Sequence, residues 1–190
     1  CAGPGKTVGL KDATRYDSAN CSADERVNFS EIQHFSEQFQ KAFYDTIKHS
    51  VQSGNHEHIV RLYAEIRDRI AVKVKPTGRA HTRILEDFDV DLFQQMVTNN
   101  AFDGDSLLRL VNTTFKWIHD LQMPTRDSAT EAAKQRVLQA GTSTAEIVPE
   151  YVKEVHGCLD TMEQDFKEFY DNSNHPLVQS MVQQAIAHKK

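Results

Sequence analysis

The patterns in this sequence that could carry chemistry are short and incomplete. His56-Glu57-His58 combines two imidazoles with a carboxylate, which are residue types that bind zinc. Side chains two positions apart share a face on a strand but not on a helix, and this triplet lies at a predicted turn between two helices. No third ligand follows at a spacing typical of zinc sites. The triplet therefore favours a solvated turn, and we predict neither a metal site nor a cofactor.

Two further patterns resemble parts of catalytic or nucleotide sites. His119-Asp120 matches two members of a hydrolytic triad, but no serine or cysteine stands in a nucleophile motif. We expect this pair at a helix end, where the helix dipole favours it. The segment 3–7, Gly-Pro-Gly-Lys-Thr, has the end of a phosphate-binding loop without the glycine that should precede it by five positions. We therefore predict that the chain is not an enzyme.

Charge is distributed in blocks along the chain. Residues 61–83 hold seven Lys or Arg and two acids, residues 86–105 hold six acids and no Lys or Arg, and residues 146–171 hold eight acids and two lysines. Such blocks either pair with one another as ordinary surface charges or attract a charged ligand. Both readings stay open at this point. The candidate residues for an anionic small molecule or a phospholipid headgroup are Arg67, Arg69, Lys73, Lys75, Arg79 and Arg83.

The elements that must position these residues are helical. Apolar residues recur every three or four positions from Phe29 to Val51, and Gly54 and Asn55 can end this helix and cap the next. A second apolar stripe runs from Ile59 to Val74 and should stop at Pro76. Short helices are predicted over 79–87 and 89–99.

The second half of the chain continues the same pattern. A strongly apolar helix over 105–121 is expected at the centre of the bundle, with Phe115 or Trp117 largely inaccessible. Ser128 and Glu131 fit a capping box for the next helix, which runs through Leu138. A long helix begins near Thr144 with Pro149 in its first turn, and its apolar stripe runs from Ile147 through Phe166 and Phe169. Pro176 should open a last helix.

These elements predict an all-α fold, an irregular bundle of seven or eight helices, with a flexible leader over 1–23 and a single domain over 24–190. The 190 residues include 27 acids and 22 Lys or Arg, an acidic balance that argues against a general nucleic-acid binder. No apolar run approaches the 18 residues of a transmembrane helix. The three cysteines are widely spaced and odd in number, so we expect a reduced, cytoplasmic protein.

Four elements in order resemble one known family. An acidic helix start, Ile84-Leu85-Glu86-Asp87-Phe88-Asp89-Val90-Asp91-Leu92, is followed by Ala101-Phe102-Asp103, an apolar helix and Pro124-Thr125-Arg126-Asp127. Upstream stands Glu65-Ile66-Arg67-Asp68, and downstream stands Cys158-Leu159-Asp160-Thr161-Met162-Glu163-Gln164-Asp165-Phe166. Over roughly residues 58–170 this order is similar to the T-complex protein 11 family. Members of that family usually continue with a Tyr-Glu-Arg segment and further helices, which do not follow in these 190 residues, so we expect a short member, a divergent relative or a fragment of a longer protein.

The resemblance implies a helical, non-enzymatic domain that binds another protein and is linked to cyclic-AMP-dependent protein kinase signalling. The motif residues that it marks are Asp89, Asp91, Pro124, Arg126, Asp127, Met162 and Asp165. We expect these to be mainly structural. In particular, Arg126 is predicted to bridge from the turn after the apolar helix to the carboxylate of Asp89 or Asp91, because a guanidinium pairs with a carboxylate in a fork geometry.

Overall fold

The computed structural model describes residues 23–187, with side chains described from His34 onward apart from a few positions. The chain divides into two compact units, residues 1–42 and 43–190. Within the described residues the elements are α1 (Ala23–Ser53), α2 (His56–Ala71), α3 (Arg79–Asp87), α4 (Val90–Thr98), α5 (Gly104–Leu121), a single 3-10 turn over Pro124–Arg126, α6 (Asp127–Leu138), α7 (Thr144–Ser173) and α8 (Pro176–Ala187).

The predicted all-α class is confirmed, since residues 23–187 contain no strand. Six of the described helices have twelve or more residues, whereas α3 and α4 have nine each. The predicted number of seven or eight helices is therefore slightly too high if only the six longer helices are counted. The predicted leader lies outside the described residues, and the single-domain boundary stays a prediction.

Helix ends follow the local chemistry of the sequence. Gly54 has a φ of +70°, the left-handed conformation that glycine adopts without strain, and it ends α1. Asn55 then caps α2, because its side chain accepts from the His58 amide at 3.2 Å. Asp89 and Asp103 cap α4 and α5 in the same way, from the Leu92 and Ser106 amides at 2.9 and 2.8 Å.

Three predictions about the ends of helices are wrong. α2 ends at Ala71, well before Pro76, and the Lys73 and Val74 amides donate three residues back, to the Ile70 and Ala71 carbonyls, as in the tightened last turn of many helices. α6 begins at Asp127 without the predicted box of Ser128 and Glu131; the capping box is formed one helix later, by Ser143 and Glu146. Pro149 lies in the second turn of α7 and is buried there.

The core of the second unit lies around α7. This helix packs against α2, α5, α6 and α8, whereas α5 packs against α6 and α7. The neighbours of α7 thus include more helices than those of α5, which we predicted at the centre. Its inward face carries Tyr151, Val155 and Leu159, all buried. Phe115 of α5 is buried as predicted, while Trp117 is half-buried and donates from Nε1 to Asp87 Oδ2 at 2.8 Å.

Candidate interaction surface

Two Arg–carboxylate forks attach the second half of α7 to the helices beside it. The first joins the 3-10 turn to α7: Arg126 Nε donates to Asp165 Oδ2 at 2.9 Å, and Nη2 donates to Oδ1 at 2.8 Å. The Asp165 side chain is buried, and the bonds from Arg126 hold the pKa of its carboxyl below the ordinary value. Arg126 thereby fixes the turn between α5 and α6 on α7.

The predicted partner of Arg126 was therefore wrong. Asp89 uses its carboxylate to cap α4, and Asp91 is exposed. The reason lies in the packing, because the turn that carries Arg126 precedes α6, which packs on α7, whereas α3 and α4 pack on α2. Asp89 and Asp91 thus lie at the start of α4, whereas Arg126 faces α7.

The remaining residues of the family motif support the same turn. Pro124 opens the 3-10 turn, where its missing amide proton is harmless. Asp127 accepts from Gln122 Nε2 at 2.8 Å, and Gln122 in turn accepts from Thr130 at 2.6 Å. Met162, one turn before Asp165, is buried. The structure thus brings together Arg126 and Asp165, and it leaves Asp89 and Asp91 apart from them.

The second fork joins the basic segment to α7. Arg69 Nη2 donates to Asp160 Oδ1 at 2.6 Å, and its Nε donates to Glu163 Oε1 at 3.0 Å. Lys73 Nζ lies 3.6 Å from the same Glu163 oxygen and 5.7 Å from the centre of the Phe166 ring. Hydrogen bonding from Arg69 lowers the pKa of Glu163. The basic and acidic blocks therefore pair with each other at this place, which is the first of the two interpretations given for the charge blocks.

The other basic candidates divide further. Arg67 pairs with the neighbouring Asp68 at 2.9 Å. Lys75, Arg79 and Arg83 are exposed, and none of them has an ion pair among residues 34–187. The acidic block of residues 86–105 also has no ion pair with Lys or Arg in this part of the chain. Its Asp89 and Asp103 act as helix caps instead.

An exposed aromatic face follows the two forks along α7. Phe166, Phe169 and Tyr170 lie three and four positions apart, on one side of the helix, and are 42%, 65% and 67% exposed. We call these three residues the aromatic face. The buried part of the apolar stripe ends with Met162, so Phe166 and Phe169 continue its spacing but are exposed. On α1, Phe39 and Phe43 are likewise exposed.

Helix lengths explain this exposure. α7 has 30 residues and is about 45 Å long, whereas α2 has 16 and α6 has 12, which give about 24 and 18 Å. The two shorter helices cannot cover the whole of α7. Apolar spacing alone does not reveal this, because the 3.6-residue period continues past the last neighbour. The predicted lengths of the neighbouring helices were the signal that could have identified it.

Two of the three histidines that suggested chemistry, His58 and His119, have structural contacts. His58 Nδ1 lies 2.7 Å from Ser50 Oγ, which joins α2 to the end of α1. His119 Nδ1 lies 3.5 Å from Asp120, and its Nε2 lies 3.4 Å from Asp127. In the described part of the chain no group of three or more His, Cys, Asp or Glu is placed to hold a metal ion. Nor does any helix there combine the length and the apolar character needed to cross a bilayer.

A family model described as T-complex protein 11 matches residues 19–181. The chain belongs to the T-complex protein 11 family. The match extends beyond the motifs at residues 58–170 and includes all of α1 and the first half of α8. Searches of curated proteins and of solved structures returned no match.

Proposed function

We propose that this member of the T-complex protein 11 family is a non-enzymatic, regulatory protein-interaction domain that binds its partner through the aromatic face of α7. Family resemblance links that role to cyclic-AMP-dependent protein kinase signalling. The observation that carries the proposal is the exposure of three aromatic side chains on one side of a helix. Aromatic residues are enriched at the centres of protein interfaces, where they contribute much of the binding energy.

The surroundings of the aromatic face favour one kind of partner. α7 is acidic, and Glu168 and Asp171 are exposed next to Phe169 and Tyr170. An amphipathic helix with an apolar stripe and basic flanks would complement both the rings and the carboxylates. The two forks hold the turns of α7 that precede the aromatic face, so the ordering of backbone that opposes binding is confined to the last turns of the helix.

A comparison of matched variants tests the proposal. Phe169→Ser combined with Tyr170→Ser removes the most exposed part of the aromatic face. Leu92→Ser is the control, because Leu92 is an apolar side chain on α4 with 52% exposure. Partners captured by the native chain are identified by mass spectrometry, and binding is then measured with the purified partner. We expect the double variant to lose that binding and Leu92→Ser to keep it. Equal binding by all three proteins would refute the proposal.

A second candidate function rests on the free basic side chains. Arg79 and Arg83 are one helical turn apart on α3, and Lys75 lies in the preceding loop; all three are exposed. They support binding of an anionic small molecule or a phospholipid headgroup, whereas Arg69 and Lys73 are engaged by α7. Charge reversal at Arg79 and Arg83 should abolish sedimentation with vesicles that contain phosphatidylserine. Unchanged sedimentation, or none by the native chain, would exclude this alternative.

A further inference from the structure

A cavity of about 220 Å³ lies in the second unit, between the end of α1, α2, α4, α5 and the start of α7. Most of its lining is apolar and includes Ile59, Leu62, Val97, Val148 and Val152. For comparison, an engineered cavity of about 150 Å³ lined by apolar side chains stays dry and binds benzene. The present cavity therefore has room for an apolar group larger than a single six-membered ring.

Three aromatic rings form one wall of this cavity. Tyr63 and Phe93 stack with ring centres 4.1 Å apart, and Phe93 meets Phe102 edge to face at 5.2 Å. Both arrangements are favourable for aromatic pairs and hold the rings in fixed orientations. A flat aromatic molecule can add to such a wall by stacking or by edge contact, whereas an alkyl chain gains no such geometry.

Ser50 and Tyr151, two of the polar residues that line the cavity, already have hydrogen-bond partners. The Ser50 hydroxyl is hydrogen-bonded to His58 Nδ1 at 2.7 Å. The Tyr151 hydroxyl is 2.8 Å from Thr114 Oγ1, and Thr114 itself donates to the Leu110 carbonyl at 2.8 Å. Because these groups satisfy one another, the inner part of the cavity favours an apolar ligand group.

Unused polar groups are found at the mouth instead. Asn55 and Asn100 are exposed lining residues, and His56 lies beside them, half-buried. Asn55 caps α2 with its oxygen, which leaves its amide N–H groups available. The side chains of His56 and Asn100 have no hydrogen-bond partner among residues 34–187. None of the lining residues is Lys, Arg, Asp or Glu.

Two residues at the mouth have a positive φ. Asn100 has a φ of +54°, and it is the one residue other than glycine with a positive φ in the described chain. Gly54, on the opposite connection, has a φ of +70°. Both follow the last turn of a helix, where this conformation is common, and the Asn100 and Ala101 amides donate to the Val97 and Met96 carbonyls of α4. Two helix ends thus fix the backbone at the mouth.

We propose that this cavity binds a small, neutral, flat molecule with an aromatic body of one or two fused rings and a single hydroxyl or carbonyl group. The rings would lie against Tyr63, Phe93 and Phe102, and the polar group would face the two asparagines at the mouth. This site is separate from the aromatic face of α7 and does not depend on the function proposed for that face.

Methyl NMR of the native chain provides the first test, with 2-naphthol as the probe and 1-octanol as an alkyl probe of similar polarity. We expect saturable shifts of the Val97, Val148 and Val152 methyl signals with 2-naphthol, and weaker binding of 1-octanol. Val137, which is buried on α6, serves as an internal control. No saturable shift, equal shifts at Val137, or tighter binding of 1-octanol would overturn the proposal.

A matched pair of variants on α4 provides the second test. Val97→Trp places a large side chain in the cavity, whereas Thr98→Trp places the same side chain at an exposed neighbouring position. By calorimetry, we expect Val97→Trp to bind 2-naphthol at least about tenfold more weakly and Thr98→Trp to bind it as the native chain does. Native-like binding by a folded Val97→Trp protein would refute the proposal; if this variant does not fold, the NMR result on the native chain decides.

Discussion

The buried pair of Thr114 and Tyr151 gives a prediction whose magnitude follows from the structure. Thr114 is fully buried, Tyr151 is 3% exposed, and their oxygens are 2.8 Å apart. Because Thr114 donates its hydroxyl proton to the Leu110 carbonyl, the Tyr151 hydroxyl is the donor within the pair. Removing Thr114 and removing the Tyr151 hydroxyl should therefore have unequal effects on the free energy of unfolding.

Thr114→Val keeps the shape of the side chain but leaves the Tyr151 hydroxyl buried without a partner. Such a group costs about 1–3 kcal/mol. Tyr151→Phe removes the donor and leaves Thr114 bonded to Leu110, so we expect a loss of about 0.5–1.5 kcal/mol. In the double variant no polar group is left without a partner, so its loss should be smaller than the sum of the two single losses.

Urea unfolding, followed by circular dichroism and by the fluorescence of Trp117, measures all four proteins of this cycle. In a chain of this size, each kcal/mol lost from the free energy of unfolding lowers the melting temperature by about 2–4 °C. Thr114→Val should therefore also melt several degrees below the native chain. Additive losses in the cycle would refute the inference that the two hydroxyls satisfy each other. A Tyr151→Phe loss larger than that of Thr114→Val would refute the assignment of the donor.

Three further perturbations test the other contacts. Arg126→Ala should lower the melting temperature, and Arg126→Lys should restore only part of the loss. Because the pKa of Asp165 is lowered in the folded chain, the stability that this fork contributes should be lost as pH falls below about 4 through the folded pKa. A melting temperature that depends on acid pH in the same way in Arg126→Ala and in the native chain would contradict the fork. Burial lowers the pKa of His156, so the free energy of unfolding should decrease as pH falls below about 6.5, and His156→Phe should remove that slope in pH-dependent urea titrations. Asp89→Ala should cost about 1 kcal/mol through loss of the α4 cap, whereas Asp91→Ala should cost much less in the same titration, and equal losses would be the contrary result.

Local sequence signals were sufficient for most of the fold. The helical period identified each main helix, and Gly54 and Asn55 marked a helix end and a cap that the structure confirms. These features depend on residues within one turn of each other, so the sequence displays them directly. The predicted position of the capping box was wrong, because Ser-x-x-Glu occurs at both 128 and 143 and only packing selects between them.

Contacts between helices were not available from the sequence. The fork of Arg126 and Asp165 joins residues 39 positions apart, and nothing in the local pattern distinguishes Asp165 from Asp89 or Asp91. Likewise, the spacing of Phe166 and Phe169 matches that of the buried residues before them. Their exposure depends on where α2 and α6 end along α7. The cavity is also a property of packing, since its lining comes from five helices and the connections between them.

The length of α7 has a consequence for backbone amide exchange with solvent. Amides of residues 152–159 lie among buried side chains of several helices and should exchange only when the whole unit unfolds. From Phe166 to Asn172 the side chains are exposed, so the amides of this end of the helix should exchange through fraying of its last turns. Protection of the amides from exchange should therefore decline steeply along one continuous helix, and the decline should begin at the Arg126–Asp165 fork. A partner bound to the aromatic face would extend the protected region toward the end of α7.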